Sequence, residues 1–107
     1  MGKQIATIEE GALEVTVANL CSAAGYGDYE IMPVKKLNLD ILRLADCFSA
    51  CGYQLTGYNK EVCLFNIDQV EITLFKDGRT IVEKVLPDRH DQALTYVEKI
   101  YKTLGFT

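Results

Sequence analysis

Hydrophobic and polar residues alternate over most of this chain, which is the pattern expected of strands with one buried face. Seven segments show this alternation: residues 3–8, 12–17, 29–34, 53–57, 61–67, 70–76 and 79–85. The first two predict an N-terminal hairpin within residues 1–20, and the frequent alanine there leaves a helix across 12–24 as the alternative. Residues 21–27 consist of small residues, glycine and one tyrosine, and they predict a loop.

Two other segments repeat their apolar residues at helical spacing. The first covers residues 39–51, with Asn38 as the predicted N-cap and Gly52 just after its end. The second covers residues 89–104, after the predicted N-cap Asp88. The predicted order is therefore ββ-β-α-ββββ-α over one domain, residues 1–107. We expect an α+β fold in which an antiparallel sheet has two helices packed on one face.

The dipeptide Asp77-Gly78 lies between two alternating segments and predicts a hairpin with a two-residue type I′ turn. Such a turn places Lys76 opposite Arg79 and directs Ile81 toward the core. It also leaves Glu83 on the apolar side. We expect that a nearby sheet edge or a bulge explains this position, and a functional role is the third alternative.

Charge and length exclude several classes of function. The 107 residues include 11 basic and 15 acidic side chains, for a net charge of −4, which argues against nucleic acid or an anionic membrane as the main partner. No apolar run approaches the roughly 20 residues that a membrane-spanning helix needs. Without a recognisable export signal, we expect a cytoplasmic location and reduced thiols.

Four cysteines are the candidate thiol chemistry: Cys21, Cys47, Cys51 and Cys63. Cys47 and Cys51 lie four residues apart on a predicted helix and therefore face the same way. Small apolar residues beside a core are the favoured interpretation, and a disulfide or half of a metal site is the alternative. Because no Cys-x-x-Cys pair occurs, we expect no metal.

No motif for catalysis is present in the sequence. Neither a G-x-G-x-x-G segment nor a phosphate-binding P-loop occurs, and the single histidine, His90, lies at the predicted start of the last helix with no thiol placed beside it. We therefore expect no catalytic residues, no cofactor and no enzyme activity.

Two segments carry a family resemblance. Cys21-Ser22-Ala23-Ala24-Gly25 and Phe75-Lys76-Asp77-Gly78-Arg79, together with the element order, resemble the C-terminal domain of the ThiF/MoeB/HesA adenylyltransferases over residues 21–107. These ubiquitin-activating-like enzymes charge small sulfur-carrier proteins. Ala24 replaces the second cysteine of the family's zinc pair, so zinc is not expected. The nucleotide-binding domain is missing, so adenylylation cannot be carried over.

The resemblance implies a non-catalytic accessory module that docks a ubiquitin-like sulfur carrier or its adenylyltransferase. Asp77, Gly78 and Arg79 are the candidate binding residues, because an anionic partner would relieve the repulsion between Arg79 and Lys76. Two alternatives stay open. One is a thiol or metal protein, acting in sulfur relay or holding an iron–sulfur site, and the other is a homo-oligomeric structural or regulatory domain.

Overall fold

The structure, a computed structural model, describes residues 4–8, 13–23, 25–86 and 89–104. Within these residues the chain forms seven strands and two helices: β1 (Gln4–Ile8), β2 (Leu13–Ala23), β3 (Tyr26–Pro33), α1 (Ile41–Ala50), β4 (Gln54–Tyr58), β5 (Val62–Ile67), β6 (Val70–Phe75), β7 (Thr80–Val85) and α2 (His90–Leu104). The order ββ-β-α-ββββ-α is confirmed. None of the described helices is long and apolar enough to cross a bilayer.

All seven described strands belong to one antiparallel sheet, ordered β1-β2-β3-β7-β6-β5-β4. The last strand, β7, inserts between β3 and β6. This insertion places β3 in the interior of the sheet, and Pro33 is tolerated because it is the final residue of that strand.

Both helices pack on the same face of the sheet, as predicted. Every second side chain of the central strands is buried on this face, in one cluster with the apolar sides of α1 and α2. Phe48 of α1 stacks on Phe65 of β5 with 4.5 Å between ring centroids. Val97 and Ile100 of α2 are fully buried in the same cluster. The opposite face of the sheet is covered by neither helix, and we call it the open face.

The start of α1 differs from the prediction and its end agrees with it. The N-cap is Asp40 rather than Asn38, and its carboxylate accepts from the backbone N–H three residues on (3.3 Å). The prediction was wrong because the N–H groups of Leu37 and Leu39 donate to carbonyls of the β6–β7 hairpin, which holds residues 37–39 outside the helix. At the other end, Gly52 has a φ of +88°. The Tyr53 N–H donates to the Phe48 carbonyl (3.1 Å), as in a Schellman motif.

The N-terminal hairpin is confirmed, because β1 and β2 pair antiparallel. The helix alternative is therefore wrong, and so is the loop predicted for residues 21–27. Strand β2 continues to Ala23 and β3 begins at Tyr26, since pairing with β3 outweighs the weak strand propensity of these small residues. The predicted caps of α2, Asp88 and Gly105, lie outside the described residues.

The β6–β7 hairpin has a different turn from the one predicted. Leu74 pairs with Thr80, and the Phe75 N–H donates to the Arg79 carbonyl (2.8 Å), so the turn has three residues, 76–78. Of these only Gly78 has a positive φ (+95°). This is a type I turn followed by a left-handed residue, not a type I′ turn. The extra residue shifts β7 by one position, which moves Ile81 to the open face and Val82 into the core.

A bulge in β7 accounts for the rest of the pattern around Glu83. Glu83 and Lys84 together lie opposite Asp28 of β3. Lys84 adopts a φ of +64°, and its N–H donates to the Asp28 carboxylate (3.0 Å). The turn places Glu83 on the open face, and the bulge returns Val85 to the core. A bulge is therefore present, but the position of Glu83 follows from the length of the turn, and the sheet-edge explanation is wrong because β7 lies between β3 and β6.

Candidate functional site

The hairpin tip, residues 76–79, is packed against the chain rather than projecting from it. Gly78 is buried, and a Cβ atom built on it would lie 2.7 Å from Cγ of Pro33 and 2.9 Å from Cδ1 of Leu37. Only glycine fits this approach, because real side chains do not make such short Cβ contacts. The tip therefore holds residues 33–37 against the end of the sheet.

Backbone groups of the tip are engaged within the chain. The carbonyl of Asp77 accepts from the Leu37 N–H, and the carbonyl of Lys76 accepts from the Leu39 N–H, both at 2.9 Å. The Asp77 carboxylate accepts from the backbone N–H of Arg79 (3.0 Å). These bonds hold residues 37–39 outside the helix, and they explain why α1 begins only at Ile41.

Tyr101 of α2 ties the last helix to the tip. Its hydroxyl donates to the Gly78 carbonyl (2.9 Å), and this bond is buried. The Thr80 hydroxyl donates to the same oxygen at 3.1 Å. Burial raises the pKa of Tyr101 to about 12. Asp77 and Gly78 thus have a structural function that the sequence analysis did not assign to them.

Arg79 opposes Phe75, so the predicted like-charge pair with Lys76 across the hairpin is wrong. Its Nε donates to the Glu30 carboxylate at 2.6 Å. Its guanidinium carbon lies 4.9 Å from the centroid of the Phe75 ring. The anionic group expected near Arg79 is therefore supplied by the chain itself, on the neighbouring strand β3.

The described thiols differ in exposure. Cys63 is buried in β5, and burial raises its pKa to about 11. Cys47 is half-buried on α1, and Cys51 is exposed just after it. Cys21 lies in β2, and its side chain is outside the description. Among the described residues, no three His, Cys, Asp or Glu side chains are grouped so that they could hold a metal ion.

Apolar side chains lie side by side on the open face. Leu64 of β5 and Ile81 of β7 flank Thr73 of β6, and Val62 pairs with Phe75 in the next row. Leu64 is 40% exposed, and the others are half-buried. We call Val62, Leu64, Phe75 and Ile81 the apolar strip.

Carboxylates border the apolar strip toward the other end of these strands. Asp28, Glu83 and Glu71 belong to the adjacent strands β3, β7 and β6, and we call them the carboxylate row. Glu71 lies directly opposite Glu83, and the Lys84 ammonium pairs with Glu71. Burial, followed by the charges of Asp28 and Glu71, raises the pKa of Glu83.

A shallow cleft of about 360 Å³ lies where part of the apolar strip meets part of the carboxylate row. Leu64, Glu71, Thr73 and Glu83 are among its lining residues. The cleft is open to solvent, and its lining is partly apolar and partly acidic. No nucleophile is paired with a base among the described residues that line it. Such a surface can make contact with a partner.

Sequence reasoning missed these open-face residues because the assumed turn length placed Ile81 in the core. One signal was available: a two-residue turn put Glu83 among apolar side chains. A three-residue turn with Gly78 at its left-handed position removes that conflict.

Comparisons with protein-family models, with curated proteins and with solved structures find no match for this chain. The resemblance to the ThiF/MoeB/HesA accessory domain therefore rests on the residues and element order given above, and it stays a prediction.

Proposed function

We propose that this chain is a non-catalytic protein-binding module that contacts its partner through the open face of the sheet. The observation that carries the proposal is the position of both helices on one face, which leaves the apolar strip uncovered. Apolar side chains grouped on an exposed sheet face are typical of contact surfaces. Leu64 is the most exposed residue of the apolar strip, at 40%.

The contact belongs on the open face rather than at the hairpin tip. The carbonyl oxygens of Lys76, Asp77 and Gly78 already accept hydrogen bonds within the chain. Arg79 is paired with Glu30. Asp77, Gly78 and Arg79 are thus engaged with residues 37–39, with α2 and with β3, which leaves the open face as the better candidate for the contact.

Strand addition at the β4 edge is the less favourable mode of contact. This strand has only five residues, and its register with β5 shifts between Leu55 and Gly57. The Thr56 hydroxyl at this irregularity donates back to the Leu64 carbonyl (3.2 Å). Short, bulged edges resist pairing with another chain, so we assign the contact to the face.

For the partner, the family resemblance favours a ubiquitin-like sulfur carrier, with the carrier's adenylyltransferase as the second choice. The accessory region of that family can contribute by docking and positioning such a protein. The apolar strip offers the kind of surface that this requires.

A homo-oligomeric domain is the alternative function that the same observation supports. In that case the apolar strip would face a second copy of the chain. Light scattering of the purified protein separates the two, because an oligomer would have the strip covered before any partner is added. No observation on the described residues favours the thiol or metal protein.

The proposal is tested with the purified chain and a carrier ending in Gly-Gly from the same genome, using titration calorimetry. Leu64→Thr should weaken binding about tenfold, because it removes roughly 1–1.5 kcal/mol of apolar burial. Leu42→Gln is the matched control, since Leu42 is 43% exposed on α1. Equal effects of the two substitutions, or no binding by the unaltered chain, would contradict the proposal.

A further inference from the structure

We propose that the partner presents lysine or arginine side chains around an apolar contact, so that its basic groups meet the carboxylate row while its apolar group covers the apolar strip. This inference rests on the proposed function and specifies the chemistry of the partner. It follows from the charges that the open face leaves uncompensated.

The open face carries a net negative charge beside the apolar strip. Strands β3, β5 and β6 contain no lysine or arginine, and residues 79–85 contain two basic side chains. Both of these are paired, Arg79 with Glu30 and Lys84 with Glu71. Asp28 and Glu83 make no ion pair among the described residues. They leave two negative charges beside the apolar strip.

This negative charge is concentrated between β3 and β7. Asp28 and Glu83 lie on the adjacent strands β3 and β7, where the bulge brings them together. Burial, followed by repulsion from Asp28 and Glu71, disfavours ionisation of Glu83, and the charge of Lys84 offsets this only in part. A cation from a partner would reverse this effect, because an opposite charge a few Å away favours the carboxylate form. The carboxylate row on the open face thus contains a repulsion between like charges that a basic partner would relieve.

The apolar strip and the carboxylate row together determine the class of partner. A metal ion or small polyamine would satisfy the carboxylates but would leave Leu64 and Ile81 exposed. Nucleic acid is disfavoured because its phosphates would face Asp28 and Glu83. A protein surface with an apolar centre and a basic rim satisfies both parts of the open face.

The test uses the full chain and the Gly-Gly-terminated carrier, with dissociation constants measured at 50 and 300 mM NaCl. The double variant Asp28→Asn/Glu83→Gln removes both charges and keeps an acceptor oxygen for the Lys84 N–H. The matched control is Asp46→Asn/Glu98→Gln, which makes the same change of net charge on the helices. Thermal melts verify that each variant is folded.

We expect binding by the unaltered chain to weaken about fivefold at the higher salt concentration, because screening acts on exposed charges. The open-face double variant should bind about five- to tenfold more weakly at low salt and lose most of its salt dependence. The helix double variant should behave like the unaltered chain.

The remaining outcomes separate the two proposals. If the unaltered chain binds, and the open-face and helix double variants do not differ, the basic-partner inference is overturned while the proposed function stands. If the unaltered chain does not bind the carrier, the proposed function fails, and the inference that depends on it falls too.

Discussion

The left-handed Gly78 at the hairpin tip gives the sharpest prediction for the fold. In Gly78→Ala, the new Cβ would lie 2.7 Å from Cγ of Pro33 and 2.9 Å from Cδ1 of Leu37. The backbone would also have to hold an alanine at a φ of +95°. A steric penalty and a backbone penalty therefore act together at Gly78. Other glycines of the chain allow the backbone penalty to be measured separately.

The expected magnitude follows from adding the two penalties. A left-handed alanine costs about 1–2 kcal/mol. Overpacking by one methyl group against ring and side-chain carbons costs about 1–3 kcal/mol. Gly78→Ala should then lower the free energy of unfolding by about 2–5 kcal/mol. For a chain of this length this corresponds to a fall in Tm of about 8–20 °C.

Two control substitutions separate the backbone penalty from the steric penalty. Gly52 has a φ of +88°, and a Cβ atom placed on it would have nothing within 4 Å, so Gly52→Ala should show only the backbone penalty of about 1–2 kcal/mol. Gly57 has neither a positive φ nor a close neighbour, so Gly57→Ala should be neutral or slightly stabilising. The assay is urea unfolding followed by circular dichroism, with Tm as a second readout.

The order of the three variants tests the reasoning. We expect Gly57→Ala to be the most stable, Gly52→Ala intermediate and Gly78→Ala the least stable. If Gly78→Ala were no more destabilising than Gly52→Ala, the tip would not be packed against residues 33–37, and the structural function assigned to it would be refuted.

Three further predictions concern single groups. Tyr101→Phe removes the buried hydrogen bond to the Gly78 carbonyl and should lower the free energy of unfolding by about 1 kcal/mol, measured by urea unfolding; an unchanged midpoint would contradict the bond. Burial, followed by neighbouring carboxylates, raises the pKa of Glu83 above its ordinary 4.5, so ionisation of Glu83 destabilises the folded state as the pH rises. Glu83→Gln should therefore raise Tm by about 1–2 °C at pH 7 and leave it unchanged at pH 4. Equal effects at the two pH values would refute this. In native buffer, iodoacetamide followed by peptide mass mapping should label exposed Cys51 and spare buried Cys63 until denaturant is added; equal labelling rates would place Cys63 at the surface.

The order of elements could be predicted because each carries a strong local pattern. Strands β5 to β7 alternate buried and exposed residues, and both helices repeat apolar residues on one side. Gly52 was identifiable as a helix end because a left-handed residue is needed there. These features depend only on residues that are close together in the sequence, so they can be predicted from it.

The register of the last hairpin could not be predicted, because Asp-Gly suits two turns of different length. Both turns place glycine at a positive φ. The choice depends on distant groups: Leu37 and Leu39 bond the tip carbonyls, and Tyr101 bonds the Gly78 carbonyl. A one-residue error in register exchanges the two faces of a strand. An uncovered sheet face was predictable, because two helices cover only one face of the sheet. The position of Ile81 on that face was not, because it depends on the register.

The carboxylate row was hidden for the same reason. Asp28, Glu71 and Glu83 are far apart in the sequence, and they meet only because β7 inserts between β3 and β6. Charge counting indicated the overall negative sign, which fits a surface that disfavours nucleic acid. It could not show that uncompensated carboxylates border the apolar strip.

The most direct test of the open face as the binding surface is a methyl NMR titration of the full chain, labelled at isoleucine and leucine methyl groups, with the sulfur carrier. We predict that the methyl signals of Leu64 and Ile81 shift on addition of the carrier, while those of Leu42 on α1 and Ile100 in the core stay unchanged. Shifts confined to Leu42 and Ile100, or no shifts at all, would contradict the proposal that the chain docks its partner through the open face.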